Sequence, residues 1–183
     1  MKNQEHIIKA SIQGDQRAQR ELYEAYRVRW FMVSMRYGKN RMQAEDILQE
    51  GLVNIYRNLK SYDATRAAFS TWSTRVLINA ALAYLKKSSW NDALTNLDDL
   101  NDQQDSDETI YDKLSAKELT KLIQDLPVGY RLTFNMYVVE GYKHKEIAEA
   151  LGISVGTSKS QLARARRELR NKLESQLTAS GHE

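Results

Sequence analysis

The sequence predicts an all-α protein built from two small helical domains. One proline and eight glycines occur in 183 residues, so helices can run long without interruption. Apolar residues recur at intervals of three or four in both halves of the chain. Residues 91–112 separate the halves, because they carry eight Asp and Glu and no Lys or Arg. We therefore expect domains at 1–90 and 113–183, joined by an acidic flexible linker at 91–112.

Breaks in the apolar period divide the first domain into helical segments. Gly14-Asp15 marks one boundary, with Asp15 as the N-cap of the next helix, and Gly38-Lys39-Asn40 marks that helix's end. The residues DATRAA interrupt the period again, and it resumes from Phe69 to about Lys87. Between those two breaks, the expected apolar stripe consists of Ala44, Ile47, Leu48, Leu52, Ile55 and Leu59.

The second domain ends in a pattern typical of a helix-turn-helix. A helix from Leu114 should stop at Pro127, and TFNMYVVEGY should form a short apolar helix. The stretch EIAEALGISVGTSKSQLARARREL then passes through a turn at Gly152 into a helix capped by Ser154. Ala148 is small enough for the two helices to cross closely. The inward stripe of the second helix is expected to comprise Ser158, Leu162, Ala165 and Leu169.

The opposite side of that second helix is rich in hydrogen-bond donors. Such side chains can meet base edges and phosphates in the major groove of DNA. The alternative is a basic helix face that is merely solvated. The turn, the small crossing residue and the donors together favour DNA binding, by Lys159, Ser160, Ala163, Arg164 and Arg167.

Two clusters in the first domain are further candidates for binding surfaces. AEDILQEGLVNIY offers either a solvated acidic face or a docking patch for a basic partner, at Asp46, Gln49, Glu50 and Val53. The other cluster interleaves aromatic with basic and amide side chains, which suits an unpaired nucleic-acid strand because bases stack on aromatic rings. Phe69 and Trp72 suit a hydrophobic core equally well. The nucleic-acid candidates are Arg66, Thr71, Trp72, Arg75, Asn79, Lys86 and Lys87.

Several functional classes lack the residues that they require. There is no cysteine, and the three histidines are far apart and away from the acidic cluster, so no metal site is expected. No Gly-rich phosphate loop or nucleophile–base set occurs, so we expect neither an enzyme nor a cofactor. No apolar run of 18 residues and no signal-peptide pattern occurs, which favours a cytoplasmic protein.

The three clusters, in this order, resemble the extracytoplasmic-function (ECF) RNA polymerase sigma factors of the minimal two-domain type. AEDILQEGLVNIYRNLKSYD is similar to the family's core-polymerase-binding helix. FSTWSTRVLINAALAYLKK resembles its promoter-melting and minus-ten-reading helix. LPVGYRLTFNMYVVEGYKHKEIAEALGISVGTSKSQLARARREL resembles its minus-thirty-five-reading domain. The resemblance covers nearly the whole chain except the linker and the last few residues.

The resemblance implies a transcription initiation factor whose partners are core RNA polymerase, promoter DNA and an anti-sigma factor. Asp46, Gln49 and Glu50 would contact a coiled coil of the largest polymerase subunit. Asn79 and the loop from Asp63 to Ala68 would hold a base flipped out of the minus-ten element. The acidic linker would thread the basic channels of the polymerase. The residues facing the minus-thirty-five duplex would be drawn from Lys159, Ser160, Gln161, Ala163, Arg164 and Arg167.

The sequence also departs from the family pattern. Ser158 occupies a position that is usually valine, which should loosen the packing there. Gln161 and Ala163 stand where larger residues are often seen, and Ser73 replaces a commonly apolar residue. The competing hypothesis is a stand-alone helix-turn-helix regulator whose first domain is a sensor or a dimerisation module. Co-purification with core polymerase is predicted only by the sigma-factor hypothesis.

Overall fold

The computed structural model describes residues 2–87 and 116–180, and the chain divides into two compact units, Met1–Tyr84 and Leu85–Glu183. Every regular element within those described ranges is helical, so the predicted all-α class is confirmed. The linker expected at 91–112 lies outside the described residues. Its bounds, and those of the two domains, therefore stay predictions.

The first unit is built from four helices of the described chain and one short 3₁₀ turn, Leu59–Ser61. These helices are α1 (Lys2–Ile12), α2 (Gln16–Tyr37), α3 (Arg41–Asn58) and α4 (Phe69–Lys87), of which α4 extends past the last residue of the unit. Asp15 caps α2 as expected, since its carboxylate accepts the backbone N–H groups of Arg17 at 2.8 Å and Ala18 at 3.1 Å. The sequence therefore predicted the N-cap of α2 correctly.

Helix α3 packs against α4 through a glycine that the apolar pattern did not reveal. The predicted stripe is buried at four of its six positions, but Leu48 and Leu52 are only half-buried. Gly51 is buried instead, and a Cβ atom added there would lie 2.0 Å from Cδ1 of Leu77. The missing side chain thus allows α4 to approach α3 closely. The four positions of the predicted apolar stripe that are buried are Ala44, Ile47, Ile55 and Leu59.

Helix α2 is joined to α4 by a buried hydrogen bond. Trp30 is fully buried, and its indole N–H donates to the hydroxyl of Ser73 at 3.1 Å. Ser73 is also fully buried and donates in turn to the carbonyl of Ser70 at 3.3 Å. A buried indole N–H needs an acceptor, which explains why a serine stands in this apolar surrounding. The sequence alone did not show which side of α4 is buried at Ser73. The bond shows that the side bearing Ser73 faces α2.

The described part of the second unit contains four α-helices and a single π-helical turn, Asn135–Val139. The helices are α5 (Ala116–Gln124), α6 (Val128–Phe134), α7 (His144–Leu151) and α8 (Val155–Ser180). The helix expected over TFNMYVVEGY is present with different bounds, because α6 begins directly after Pro127 and ends at Phe134, and the π-helical turn continues it only to Val139. Proline is suited to a helix start, and the carbonyl of Pro127 accepts the N–H of Arg131 at 2.9 Å.

A buried arginine closes the junction between α5 and α6. The guanidinium of Arg131 donates to the carbonyl oxygens of Gln124 at 3.0 Å and Leu126 at 3.1 Å. Only 3% of Arg131 is exposed, and burial lowers its pKa to about 10, so it remains charged at neutral pH. The side chain thus satisfies carbonyl groups left over where α5 ends. The core of the unit beside it contains Leu122, Ile123, Leu126, Tyr130, Phe134, Leu162, Ala165, Leu169 and Leu173.

Candidate DNA and polymerase interfaces

Helices α7 and α8 form the helix-turn-helix that the sequence predicts. Gly152 ends α7 with φ of 71°, a left-handed conformation that glycine adopts without steric cost. The N–H of Ile153 then donates to the carbonyl of Ala148 at 3.0 Å. Ser154 caps α8, because its hydroxyl accepts the N–H of Thr157 at 2.9 Å. The turn therefore sets the start of α8 relative to α7.

The inward stripe of α8 is confirmed, and it leaves polar side chains on the opposite side. Lys159 and Arg167 are exposed, while Ser160, Ala163 and Arg164 are half-buried. We call these five residues the α8 surface. Their donors are arranged along a capped helix, which is the arrangement that a DNA groove accepts. The buried stripe comprises Ser158, Leu162, Ala165 and Leu169.

Gln161 was predicted as a minus-thirty-five contact, but it does not lie on the α8 surface. Its side chain is fully buried, and its Oε1 accepts the hydroxyl of Thr133 at 2.8 Å. Gln161 lies three residues after Ser158, and residues at that spacing share a helix face. Its amide thus pairs with α6 and is turned away from the donors of α8.

Ser158 is held by a histidine that the sequence analysis did not single out. The Oγ of Ser158 lies 3.0 Å from Nδ1 of His144, at the first residue of α7. The His144 ring stacks on Tyr137, with centroids 4.5 Å apart and an interplanar angle of 23°. Burial, then Lys159 and then Arg166, lower the pKa of His144. The loosened packing expected at Ser158 is wrong, since the serine is fully buried and has a hydrogen-bonding partner.

In the first unit, one face of α4 carries a row of exposed polar side chains. Thr71, Arg75 and Asn79 are exposed and follow one another at intervals of four residues, so they line one side of the helix. Lys86 and Lys87 are exposed in the last turn of α4, beyond the last residue of the unit. We call the residues within the unit the α4 surface, namely Asp63, Arg66, Thr71, Trp72, Arg75 and Asn79.

The loop before α4 is ordered by hydrogen bonds of Asp63. Its Oδ1 accepts the hydroxyl of Thr65 at 2.7 Å and the N–H of Thr65 at 2.9 Å. These bonds, the hydroxyl first, lower the pKa of Asp63. The Nε of Arg66 lies 3.4 Å from Oδ2 of Asp63, and 86% of its side chain is exposed. The loop therefore presents the arginine to solvent on a defined turn.

Aromatic rings connect that loop to α4. Phe69 is buried with 1% exposure, so the core interpretation is correct for this residue. Trp72 is half-buried and lies against Tyr62, with ring centroids 5.5 Å apart. Tyr62 is also half-buried and was missed by the sequence analysis, although it precedes Asp63 directly. Trp72 and Tyr62 thus form a partly exposed aromatic pair next to the ordered loop.

The acidic cluster lies on α3, on the side away from its buried stripe. Asp46 and Gln49 are exposed, Glu50 is half-buried, and the apolar Val53 is 54% exposed. We call these four residues the α3 surface. The hydroxyl of Tyr84 donates to Oδ2 of Asp46 at 2.8 Å. No pattern in the sequence indicated Tyr84, because its partner lies on another helix.

Two stretches of the chain match known protein families. Residues 22–91 match the family described as Sigma-70 region 2, and residues 116–169 match Sigma-70, region 4. The ECF RNA polymerase sigma factor SigW of Bacillus subtilis is 30% identical over 181 residues, which cover 91% of this chain and 94% of SigW. The chain belongs to the ECF RNA polymerase sigma factors. It is therefore a sigma factor that directs RNA polymerase to promoters, and the hypothesis of a stand-alone regulator is not favoured.

Further similarities agree with this family. The ECF sigma factor SigM of Bacillus subtilis is 32% identical over 155 residues, which cover 82% of this chain and 91% of SigM. Among solved structures, the sigma factor RpoE of Bartonella quintana, in complex with the anti-sigma factor NepR, has a TM-score of 0.53. That comparison covers 85% of this chain and 96% of RpoE at 17% identity, so it shows a shared fold and nothing further.

Two structural observations complete the description of this sigma factor. Among the residues that the structure describes, no group of three or more His, Asp or Glu side chains is placed to hold a metal ion. Within the same residues, none of the helices combines the length and the apolar character that crossing a membrane requires.

Proposed function

We propose that this ECF sigma factor divides its work among the three surfaces. The α3 surface docks on core RNA polymerase, the α4 surface holds melted minus-ten DNA, and the α8 surface reads the minus-thirty-five duplex. The observation that carries the proposal is the presence, in one chain, of a donor-bearing helix-turn-helix and of an acidic surface on α3. The sigma-factor proposal uses both features, the first for promoter DNA and the second for the polymerase.

The α3 surface suits a basic protein partner. Asp46 and Glu50 supply negative charge, while the exposed Val53 supplies apolar area at the same place. The neighbouring Glu45 already pairs with Arg41 at 2.8 Å, so its charge is locally compensated. Complementary charge at an interface raises both the association rate and the specificity of docking.

The α4 surface suits an unpaired strand. The Tyr62–Trp72 pair offers ring surface for stacking, and Arg75 with Asn79 offers donors beside it. The ordered loop places Arg66 within the same part of the unit, and we assign Lys86 and Lys87 to backbone phosphates. Capture of an extruded base would offset the cost of unstacking it, which is a few kcal/mol.

The α8 surface suits duplex DNA. Arg164 is half-buried near the middle of the donor row, where a guanidinium fork matches the two acceptors of guanine. Arg167 is exposed one turn further along and is assigned to phosphate. Lys159 and Ser160 complete the contacts, with Ala163 lying against the groove.

Several finer features belong to the same proposal. The factor works without a cofactor and catalyses no reaction itself, because the chemistry of transcription belongs to the polymerase. Its place of action is the cytoplasm, and the acidic segment at 91–112 threads the polymerase. An anti-sigma factor would regulate it by covering one of the three surfaces.

Charge reversal on α3 tests the docking assignment. The double variant Asp46→Lys with Glu50→Lys should lose binding to core polymerase, because attraction becomes repulsion worth several kcal/mol. The control variant reverses Glu21 and Glu24, which are exposed on α2, and should bind normally. Affinity is measured by fluorescence anisotropy of labelled full-length chain. Full-strength binding by the α3 variant would remove this surface from the proposal.

A further inference from the structure

One hydrogen bond ties the α3 surface to the helix that bears the α4 surface. The hydroxyl of Tyr84 donates to Oδ2 of Asp46 at 2.8 Å, and both residues belong to the first unit. Tyr84 is half-buried, whereas Asp46 is exposed. The bond therefore engages one carboxylate oxygen while the side chain still faces solvent.

The packing of α3 on α4 makes this bond possible. Gly51 leaves room for the fully buried Leu77, as a Cβ at Gly51 would lie 2.0 Å from Cδ1 of Leu77. Tyr84 follows Leu77 by seven residues, about two helical turns, so it projects from the same side of α4. The close approach at Gly51 thus brings the Tyr84 hydroxyl within reach of Asp46, one to two turns away along α3.

We propose that Tyr84 is a positioning residue of the polymerase-docking surface, holding the Asp46 carboxylate in the orientation that a basic partner group meets. This inference rests on the proposed docking function of the α3 surface. An exposed aspartate samples several rotamers, and ordering them on binding costs free energy. A carboxylate that a neighbouring residue already holds in one orientation loses less conformational entropy when the partner binds.

The protonation state of Tyr84 agrees with this role. Its hydrogen bond to Asp46 and then burial raise the pKa of the phenol, and the charges of Asp46 and Glu50 act in the same direction. The hydroxyl therefore keeps its proton at neutral pH and can only donate to the carboxylate. The docking surface on α3 is in this way completed by a residue of α4.

The test is a double-mutant cycle on the affinity of the full-length chain for core polymerase. Tyr84→Phe should weaken binding about three- to tenfold, which is the cost of ordering on binding one side chain that the unmodified chain already holds in place. In the Asp46→Ala background the same substitution should cause no further loss. Tyr56→Phe is the matched control, because the Tyr56 hydroxyl is also half-buried but donates to the backbone carbonyl of Gln19 at 2.8 Å. Its affinity should stay within about twofold of the unmodified chain.

Circular dichroism and thermal unfolding of each variant complete the design. If Asp46→Ala binds normally, both the docking assignment and this inference fail. If Asp46→Ala weakens binding but Tyr84→Phe behaves like Tyr56→Phe, the docking surface stands and the inference about Tyr84 is overturned. A Tyr84→Phe chain that does not fold, or equal losses in both backgrounds of the cycle, would also overturn it, because the hydroxyl would then act on the fold and not through Asp46.

Discussion

The buried pair of Thr133 and Gln161 allows a quantitative test of how α6 holds α8. Both residues are fully buried, and the Thr133 hydroxyl donates to Oε1 of Gln161 at 2.8 Å. The Nε2 of Gln161 has no hydrogen-bonding partner among the described residues. Thr133→Val leaves the whole amide buried without partners, which should lower the free energy of unfolding by about 1–3 kcal/mol.

The reciprocal change and the double variant complete this cycle. Gln161→Met has a similar shape and removes two buried polar atoms, so it strands only the Thr133 hydroxyl and should cost less. With both substitutions present neither group is stranded, and stability should return to within about 1 kcal/mol of the unmodified chain. In a unit of this size, a change of 1 kcal/mol shifts the melting temperature by about 4–8 °C.

Urea unfolding of the full-length chain, followed by circular dichroism, measures the cycle. Tryptophan fluorescence provides an internal control when the cycle is measured in a Trp90→Phe background, since the other two tryptophans, Trp30 and Trp72, both lie in the first unit and their transition should not move. If the loss of unfolding free energy in the double variant equals the sum of the two single losses, Thr133 and Gln161 do not interact and the predicted pair is refuted. A Gln161→Met chain with an altered minus-thirty-five base preference would refute the placement of Gln161 away from DNA.

Three further predictions concern DNA binding and pH. Asn79→Ala and Arg66→Ala should each impair promoter opening, measured by permanganate reactivity, more than duplex binding; normal opening in both would end the single-strand assignment. Arg164→Ala should cost about 1–3 kcal/mol of binding and relax preference at one minus-thirty-five position, whereas Arg167→Ala should weaken all sequences alike and reduce the salt slope by about one unit. Unchanged binding of randomised duplexes by both variants at two salt concentrations would mean that the α8 surface is only solvated. Because the folded-state pKa of His144 lies below its ordinary value, its contribution to stability is complete above about pH 6.5 and is lost as the pH falls through the folded-state pKa. His144→Gln should reduce the loss of unfolding free energy below about pH 6.5, measured by urea unfolding at a series of pH values. If the unfolding free energy of the variant falls with pH as steeply as that of the unmodified chain, the lowered pKa of His144 is contradicted.

Features governed by neighbouring residues were predictable from the sequence. The bounds of α4, the Asp15 and Ser154 caps and the left-handed turn at Gly152 depend on residues within one or two turns. The inward stripe of α8 follows from its period, and the same stripe identifies the donor face on the opposite side. Local chemistry therefore indicated both the fold class and the candidate surfaces.

Features that depend on a distant partner were not predictable. The burial of Gln161 requires Thr133 on α6, and the serine at position 73 makes sense only beside the indole of Trp30. Tyr84 becomes informative only once α4 is placed against α3. A single sequence contains no record of which helix faces which, so these polar contacts needed the three-dimensional structure.

In vitro transcription with core RNA polymerase tests the central claim most directly. The full-length chain is combined with core enzyme and a template library randomised at the minus-ten and minus-thirty-five elements. The account predicts transcripts that core enzyme alone does not make, from templates enriched for defined bases at both elements, and none with the Asp46→Lys, Glu50→Lys variant. Transcription no greater than with core enzyme alone, together with specific binding of the chain to duplex DNA, would contradict the account.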